Sequence, residues 1–389
     1  MESESDVSRI GNVLFRNDRS SFGIRQADRL LHLYVVGQTG TGKSTLLASL
    51  ARQDLTTGRG FCFIDPHGDV VERLAQDAVR CGRPDVTYWN VPDPTSPYGY
   101  NPLRFVRRDK IPLAVSGVLE AMRKLWADAW GVRMEHILRN ALYALFERPG
   151  STIADVLRLL GEERFRKEVA AGIKNEPVRL FWQKEFSRYS FGYRSDGAAP
   201  IQNKIGAFLA DPMLRRILTE PQEDLHLRAI MYRGGVLLVN LAKGQIGEDS
   251  ANLLGSLLVS TIGLAAFSRA DMAAASRRSF ALMIDEFHNF TTLSIATMAS
   301  ELRKYGISLV LAHQHLAQLE SDVRHAVLGN AGTIISFRIG AEDAAYIARE
   351  LSPVFRPQDL IALPNYHLYL KLMIDGTPSR PFSAITCLE

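Results

Sequence analysis

Leu31-His32-Leu33-Tyr34-Val35-Val36-Gly37-Gln38-Thr39-Gly40-Thr41-Gly42-Lys43-Ser44-Thr45-Leu46-Leu47 is an apolar run that breaks into a glycine-rich turn and then into a helical pattern. In that strand–loop–helix context the spacing GxxxxGK[ST] has a physical meaning. Glycines let the chain curl so that successive N–H groups point at phosphate oxygens, and the helix after the loop adds its positive end. The cradle runs over Gly37, Gln38, Thr39, Gly40, Thr41, Gly42, Lys43, Ser44 and Thr45. Lys43 would reach the β- and γ-phosphates, and the Ser44 hydroxyl would ligate Mg2+. Short motifs recur by chance in unrelated chains, but here every position and both flanks agree.

The chain has 389 residues, 46% hydrophobic and 23% charged, which is ordinary for a soluble globular protein and long enough for two or three domains. A net charge of +4 is too mild to establish a nucleic-acid partner, so any basic surface has to be local. Cys62, Cys81 and Cys387 form neither a zinc spacing nor a disulfide framework, which fits a reducing cytoplasm. The acidic start Met-Glu-Ser-Glu-Ser-Asp is no signal peptide. The most apolar long stretch, Leu253 to Phe267, carries Ser256, Ser260 and Thr261 and reads as a buried helix too short to cross a membrane. A soluble, cytoplasmic protein is expected.

Working outward, residues 1–30 are polar with one apolar patch, Val13-Leu14-Phe15, and read as an N-terminal arm or edge hairpin. After the loop come a helix from Lys43 to about Thr57, a buried strand Phe61-Cys62-Phe63-Ile64-Asp65, a helix Asp69 to Ala78, and a strand Val86 to Val91. Strands alternating with helices predict an α/β fold with a mostly parallel sheet and ligands at the strands' carboxyl ends. From about 104 to 233 the periodicity is helical, for example over Ile111–Ala127, Met134–Phe146, Thr152–Leu160 and Val178–Tyr189. This predicts an all-α domain inserted between 31–103 and 234–389. Its basic and aromatic residues, among them Arg104, Arg107, Arg108, Lys110, Trp126, Trp130, Arg179 and Trp182, suit a solvated helical face around an aromatic core better than a DNA-contacting surface. Alternation returns with a strand at Val236–Leu241, a long helix from Glu248 to Arg269, and strands at Ala281–Glu286, Ser308–His313, Thr333–Ile339 and His367–Ile374.

The strand Phe280-Ala281-Leu282-Met283-Ile284-Asp285-Glu286 ends in two acids. In phosphate-loop ATPases such an aspartate helps hold Mg2+, and the glutamate orients and deprotonates the attacking water. Acids are common where any strand meets water; the complete phosphate loop upstream is what gives this pair weight. A reader of guanine lacks support, because Asn203-Lys204-Ile205-Gly206 has no aspartate. Gln314 ends the next strand, either as a sensor of the γ-phosphate or as a simple strand cap. Arg303 precedes that strand. It either enters a neighbouring subunit's site or neutralises a helix C-terminus before Gly306, and position alone favours the second. His313 and His315 would share a strand face, but no further ligand spacing accompanies them, so a metal site there is not expected.

Taken together, Gly37–Leu47, Ile64-Asp65-Pro66-His67-Gly68-Asp69, Tyr100-Asn101-Pro102-Leu103, Val239–Glu248, Ile284-Asp285-Glu286-Phe287, Leu302–Leu319 and Ile335–Asp343 resemble the HerA/FtsK superfamily of RecA-like ATPases. They most resemble the conjugative coupling proteins of type IV secretion and their HerA-like relatives. The resemblance runs over about 24–385. It implies a RecA-like P-loop NTPase that hydrolyses ATP with Mg2+ as a homo-hexamer, with nucleotide between subunits and double-stranded DNA in a central channel. It also implies Arg303 as a trans-acting arginine, Gln314 as the sensor, and Arg338 as a second γ-phosphate contact or a structural ion pair. The 104–233 insertion resembles the coupling proteins' all-α domain. The coupling proteins usually carry an N-terminal membrane anchor and the HerA proteins an N-terminal β-barrel, and neither is expected in this sequence.

The leading expectation is therefore an ATP-driven translocase of double-stranded DNA. Lys243, in the turn Ala242-Lys243-Gly244-Gln245, is a candidate backbone grip, though an ordinary loop is the simpler reading. The rivals are a nucleotide-gated ring that controls a partner effector such as a nuclease, and a secretion ATPase that acts on protein.

Overall fold

The computed structural model describes residues 6–14, 19–104 and 106–387. Phe15, part of the apolar patch read from the sequence, lies outside them. By compactness the chain divides into two units, one made of 1–91, 227–246 and 265–389, the other of 92–226 and 247–264. The helical unit thus begins before residue 104, ends before 233, and takes in most of the long helix at 248–267.

The first unit is built on an 11-stranded sheet. Seven neighbouring strands run parallel, in the order Thr333–Ser336, Leu33–Val36, Ile307–His313, Phe280–Ile284, Gly60–Asp65, Val236–Asn240, Val86–Asn90. Every residue of Leu33–Val36, Gly60–Asp65, Val236–Asn240 and Phe280–Ile284 is buried, as expected where both faces of a parallel sheet are covered. One face packs on Leu46, Leu47 and Leu50 of the helix Lys43–Thr56 and on Val70, Val71 and Leu74 of the helix Asp69–Arg80. Each such side chain contributes about 2 kcal/mol of burial.

The remaining four strands are antiparallel: His367–Lys371, Phe382–Thr386 and the N-terminal hairpin Val7–Val13 with Ser21–Arg25. The N-terminal stretch is therefore an edge hairpin rather than a loose arm. Two expected strands are shorter than their apolar runs. Thr333–Ser336 ends before Ile339, whose N–H turns to Leu360 O, and the run His367–Ile374 splits at Leu372.

The second unit is helical, with a core that includes Trp126, Leu138, Leu142 and Phe186. The helices read at Ile111, Met134 and Thr152 are present as Ile111–Leu125, Val132–Phe146 and Ala154–Gly161. The one read at Val178 contains a π-helical turn, Phe181–Glu185. Glu163–Gly172, Phe191–Ala210 and Pro212–Thr219 are further helices that periodicity did not predict. Many of the basic and aromatic residues of this unit have structural partners. Arg107 and Lys110 pair with Asp109, Arg179 pairs with Glu176, Arg104 donates to Leu225 O, and the Trp182 indole donates to Asn140 O.

The long helix is longer than its apolar stretch suggested. Over Glu248–Asp271 it is long and apolar enough to cross a membrane by length and composition, and 78% of its most apolar window is buried inside the fold. Tyr100 hydrogen-bonds Leu257 O and Thr261 from within the same unit, as in a core helix.

Candidate functional site

The strands Leu33–Val36, Phe280–Ile284 and Ile307–His313 are neighbours in register, so their carboxyl ends deliver Gly37, Asp285 and Gln314 to one edge. The loop after the first strand turns through Gly40 at φ +75° and Gly42 at φ +119°, conformations that L side chains rarely adopt. At Gly42 space is tight as well, since a Cβ would come within 3.0 Å of the Tyr366 ring and 3.1 Å of the Phe337 ring. Tyr366 N donates to Thr41 O at 2.8 Å, which fastens the loop to the C-terminal part of the chain. Tyr366 carries no motif, and Phe337, although it lies in the stretch Ile335–Asp343, was given no role there.

Lys43 and Ser44 open the next helix. Lys43 is 4% exposed and its Nζ donates to Gln38 O at 3.2 Å, closing the loop on itself. Burial lowers its pKa, and the charges of Glu286 and Asp285 oppose that shift. Ser44 Oγ donates to Asp285 Oδ2 at 2.6 Å. Burial pushes the Asp285 carboxyl up to about 6, the Ser44 bond acts against this, and the nearby Glu286 and Asp65 charges add to it.

The strand expected to end at Glu286 ends at Ile284, because both acids lie in the turn beyond it. Glu286 adopts φ +46°, a left-handed backbone that costs a non-glycine residue roughly 1–2 kcal/mol. That turn aims its carboxylate along the sheet edge. Gln314 Nε2 donates to Glu286 Oε1 at 2.7 Å, and Thr39 Oγ1 donates to Gln314 Oε1 at 2.9 Å. Among the described residues Glu286 Oε2 is buried without a hydrogen bond, and His288 Nδ1 lies 3.4 Å away. A chain of polar contacts thus links the acid after one strand to the phosphate loop through the glutamine after the next.

Asp65 takes no part in this chain. Its carboxylate accepts from His67, Val70 and Val71 N–H and caps the turn that starts the helix Asp69–Arg80. Arg338 Nε donates to Gln38 Oε1 at 3.3 Å and Nη1 to Leu363 O at 3.2 Å, so it braces the phosphate loop of its own chain. Lys243 begins the short helix Lys243–Ile246 and is half-buried, with its N–H on Pro66 O.

Arg303 is not at this edge. It is exposed in the turn Leu302–Tyr305, before the seven-residue strand whose far end carries Gln314. At about 3.3 Å per residue the two ends are roughly 20 Å apart, beyond the reach of an arginine side chain. The histidines behave as core and surface residues. His313 is fully buried, shares a 2.5 Å hydrogen bond with Tyr34 OH, and is pushed down to about 3 by burial. His315 is exposed beside Asp343 at 3.6 Å. Among the described residues no group of His, Cys, Asp or Glu could hold a metal by itself. Asn203–Gly206 lies inside the helix Phe191–Ala210 of the second unit.

The donor set suits a magnesium-bound phosphate better than a protein-only metal cage. Ser44 and Asp285 offer hard oxygens that already share a hydrogen bond, which fits an ion that keeps most of its water and completes its shell with phosphate. Segment 279–354, which carries Asp285, Glu286, Arg303, Gln314 and Arg338, matches the family model described as the TraM recognition site of TraD and TraG. None of the curated proteins matches the chain. Among solved structures, the plasmid coupling protein TrwB with the GTP analogue GDPNP is 17% identical with a TM-score of 0.69, covering 98% of this chain and 95% of that one. TrwB in complex with ADP and Mg2+ is 17% identical with a TM-score of 0.68 over the same shares. VirB4 of Thermoanaerobacter pseudethanolicus is 15% identical with a TM-score of 0.65, covering 100% of this chain and 98% of that one. The fold is that of the RecA-like P-loop NTPases, shared over nearly the whole chain with the TrwB and VirB4 structures.

Proposed function

We propose that the protein is a Mg2+-dependent ATPase that works as a homo-hexameric ring and moves double-stranded DNA. The observation that carries this reading is the linkage Thr39–Gln314–Glu286 beside Lys43 and the Ser44–Asp285 pair. Loop amides from Gly37 to Thr45 receive the phosphates, and Lys43 exchanges its bond to Gln38 O for one to the β- and γ-phosphate oxygens. Ser44 and Asp285 would hold Mg2+, which would neutralise charge on the β- and γ-phosphates.

Glu286 takes a proton from water as the water oxygen bonds to the γ-phosphorus. The bond to the β–γ bridging oxygen breaks, and ADP leaves with inorganic phosphate. Gln314, bonded to both Glu286 and Thr39, is placed to change partners when the γ-phosphate departs. Arg338 steadies the loop through Gln38. Arg303, unable to reach its own site, supplies a guanidinium to the site of the neighbouring subunit.

Support for the ATP and Mg2+ assignment comes from the TrwB structures, which hold ADP with Mg2+, an ATP analogue and a GTP analogue. The coupling-protein form of the fold supports movement of DNA, with channel loops gripping phosphates and reading no sequence. The test is ATP turnover with and without duplex DNA. Stimulation that fades as salt rises is expected. Turnover indifferent to duplex at low salt, together with a stable partner whose activity requires the ring, would favour the scaffold reading.

A further inference from the structure

His32 has no part in the nucleotide site, yet its surroundings are unusual. It is 5% exposed and holds φ +69°, a left-handed backbone uncommon for a non-glycine residue. Its N–H donates to Arg29 O at 3.0 Å and its carbonyl accepts from Thr333 N at 3.2 Å. Ring Nδ1 accepts the Leu309 N–H at 3.1 Å, which leaves the ring hydrogen on Nε2 to be donated to Ala299 O at 3.0 Å. Burial keeps the ring neutral by pushing its pKa down to about 4. Its ring therefore joins the start of the phosphate-loop strand to two other elements, the strand Ile307–His313 and the last turn of the helix Leu293–Glu301.

That helix runs directly into the turn that carries Arg303. The backbone of this turn is fastened on other sides as well. Leu302 is fully buried, Arg277 Nη1 donates to Lys304 O at 2.6 Å, and the Arg277 guanidinium lies 5.4 Å from the Tyr305 ring centre. The Arg303 side chain is exposed, and among the described residues it makes no hydrogen bond or ion pair. A rigid turn with one unpaired guanidinium projecting from it suits a group whose partner is on another molecule.

We propose that His32 is a positioning residue for Arg303. Its Nε2–H···O bond to Ala299 sets the turn from which Arg303 reaches the neighbouring phosphates, and its other bonds register that turn against the phosphate-loop strand of the same subunit. This rests on the trans reading of Arg303 in the proposed function. A histidine that only filled space would affect its own subunit's fold and site. A positioning residue affects the site next door.

Two substitutions and subunit mixing separate these cases. Asparagine accepts the left-handed backbone and keeps an acceptor near the Nδ1 position, but is too short to reach Ala299; glutamine brings an N–H to about the Nε2 position. In homogeneous rings His32→Asn should retain ATP yet lose turnover by about 10- to 100-fold, the scale of a catalytic group displaced by an ångström or so. His32→Gln should recover most of that loss. Mixed with Glu286→Gln subunits, which carry an intact Arg303, His32→Asn should regain turnover. Mixed with Arg303→Ala subunits it should not, since both lack a working donor.

Recovery with Arg303→Ala would overturn the proposal, because the defect would then lie in the histidine variant's own site. So would native turnover in His32→Asn, or loss of bound ATP in both variants. The control is Arg303→Ala mixed with Glu286→Gln. If that pair fails to recover, the trans role of Arg303 falls and takes the proposal with it. If it recovers while His32→Asn does not, only the role of His32 is refuted.

Discussion

Lys43 and Asp285 are both buried, and burial drives their pKa values in opposite directions, lowering the ammonium and raising the carboxyl to about 6. Each also feels the other's opposite charge, which acts against the effect of burial. Removing the ammonium with Lys43→Ala should weaken ATP binding by about 10- to 100-fold, the worth of a charge-assisted hydrogen bond, as read by nucleotide titration. Because Asp285 must shed its proton to hold a cation, the Mg2+ concentration needed for half-maximal turnover should climb as pH falls below about 6. A Mg2+ requirement that is flat from pH 7 to 5 would remove Asp285 from the ligand set. His32 titrates the other way. Its folded pKa of about 4 lies below the unfolded value of 6.5, so the stability it contributes is present above pH 6.5 and is lost as pH falls toward 4. Between pH 6.5 and 4.5 that loss is roughly 2–3 kcal/mol. Urea unfolding at the two pH values should show His32→Asn losing less than the native chain, and equal losses would contradict its burial as a neutral ring. The motif residues were legible because the chemistry of phosphate binding dictates their type and spacing. Tyr366, Phe337 and His32 act through contacts between distant parts of the chain, and nothing local to them betrays it.

The strand Ile307–His313 sets Arg303 and Gln314 apart at the level of elements, one before its amino end and one after its carboxyl end. A parallel strand delivers its carboxyl end to the nucleotide edge and leaves its amino end at the opposite one. Arg303→Ala should therefore abolish turnover while leaving ATP bound, and mixing with Glu286→Gln subunits should restore part of it, assayed as phosphate release against mixing ratio. No recovery would assign Arg303 a role inside its own subunit. The parallel strands were legible in sequence as short, wholly apolar runs. Helix Phe191–Ala210 was not, because Gly192, Gly197 and Pro200 imitate a loop. Packing overrides that signal at Gly197, which lies close against the neighbouring helix, a Cβ there coming 2.5 Å from the movable end of the Ile137 side chain. The acids after Phe280–Ile284 were recognised as a pair, but their place in a turn rather than in the strand comes from the left-handed backbone of Glu286, which no periodicity encodes.

Across the whole molecule, alternation of strand and helix foretold the parallel half of the sheet, while the antiparallel edge of C-terminal strands and N-terminal hairpin depends on pairing between residues far apart in sequence, such as Gly11 with Thr386. The boundary of the helical unit was displaced for a similar reason. The helix that begins at Glu248 comes after a strand of the sheet in sequence, yet most of it belongs to the other compact unit. If the ring moves duplex DNA by holding its backbone, stimulation of ATP turnover should fall steeply between 50 and 200 mM salt, by about 10-fold or more where several phosphates are contacted.

All of these expectations stand on a magnesium-bound triphosphate in front of Lys43 and a water primed by Glu286. The most direct test compares purified native protein with Glu286→Gln for retained ATP and released phosphate in the presence of Mg2+. The account predicts that the native chain releases phosphate, whereas the variant keeps ATP bound and unhydrolysed. A variant that turns over at the native rate, or a native chain that neither retains ATP nor releases phosphate, would contradict it.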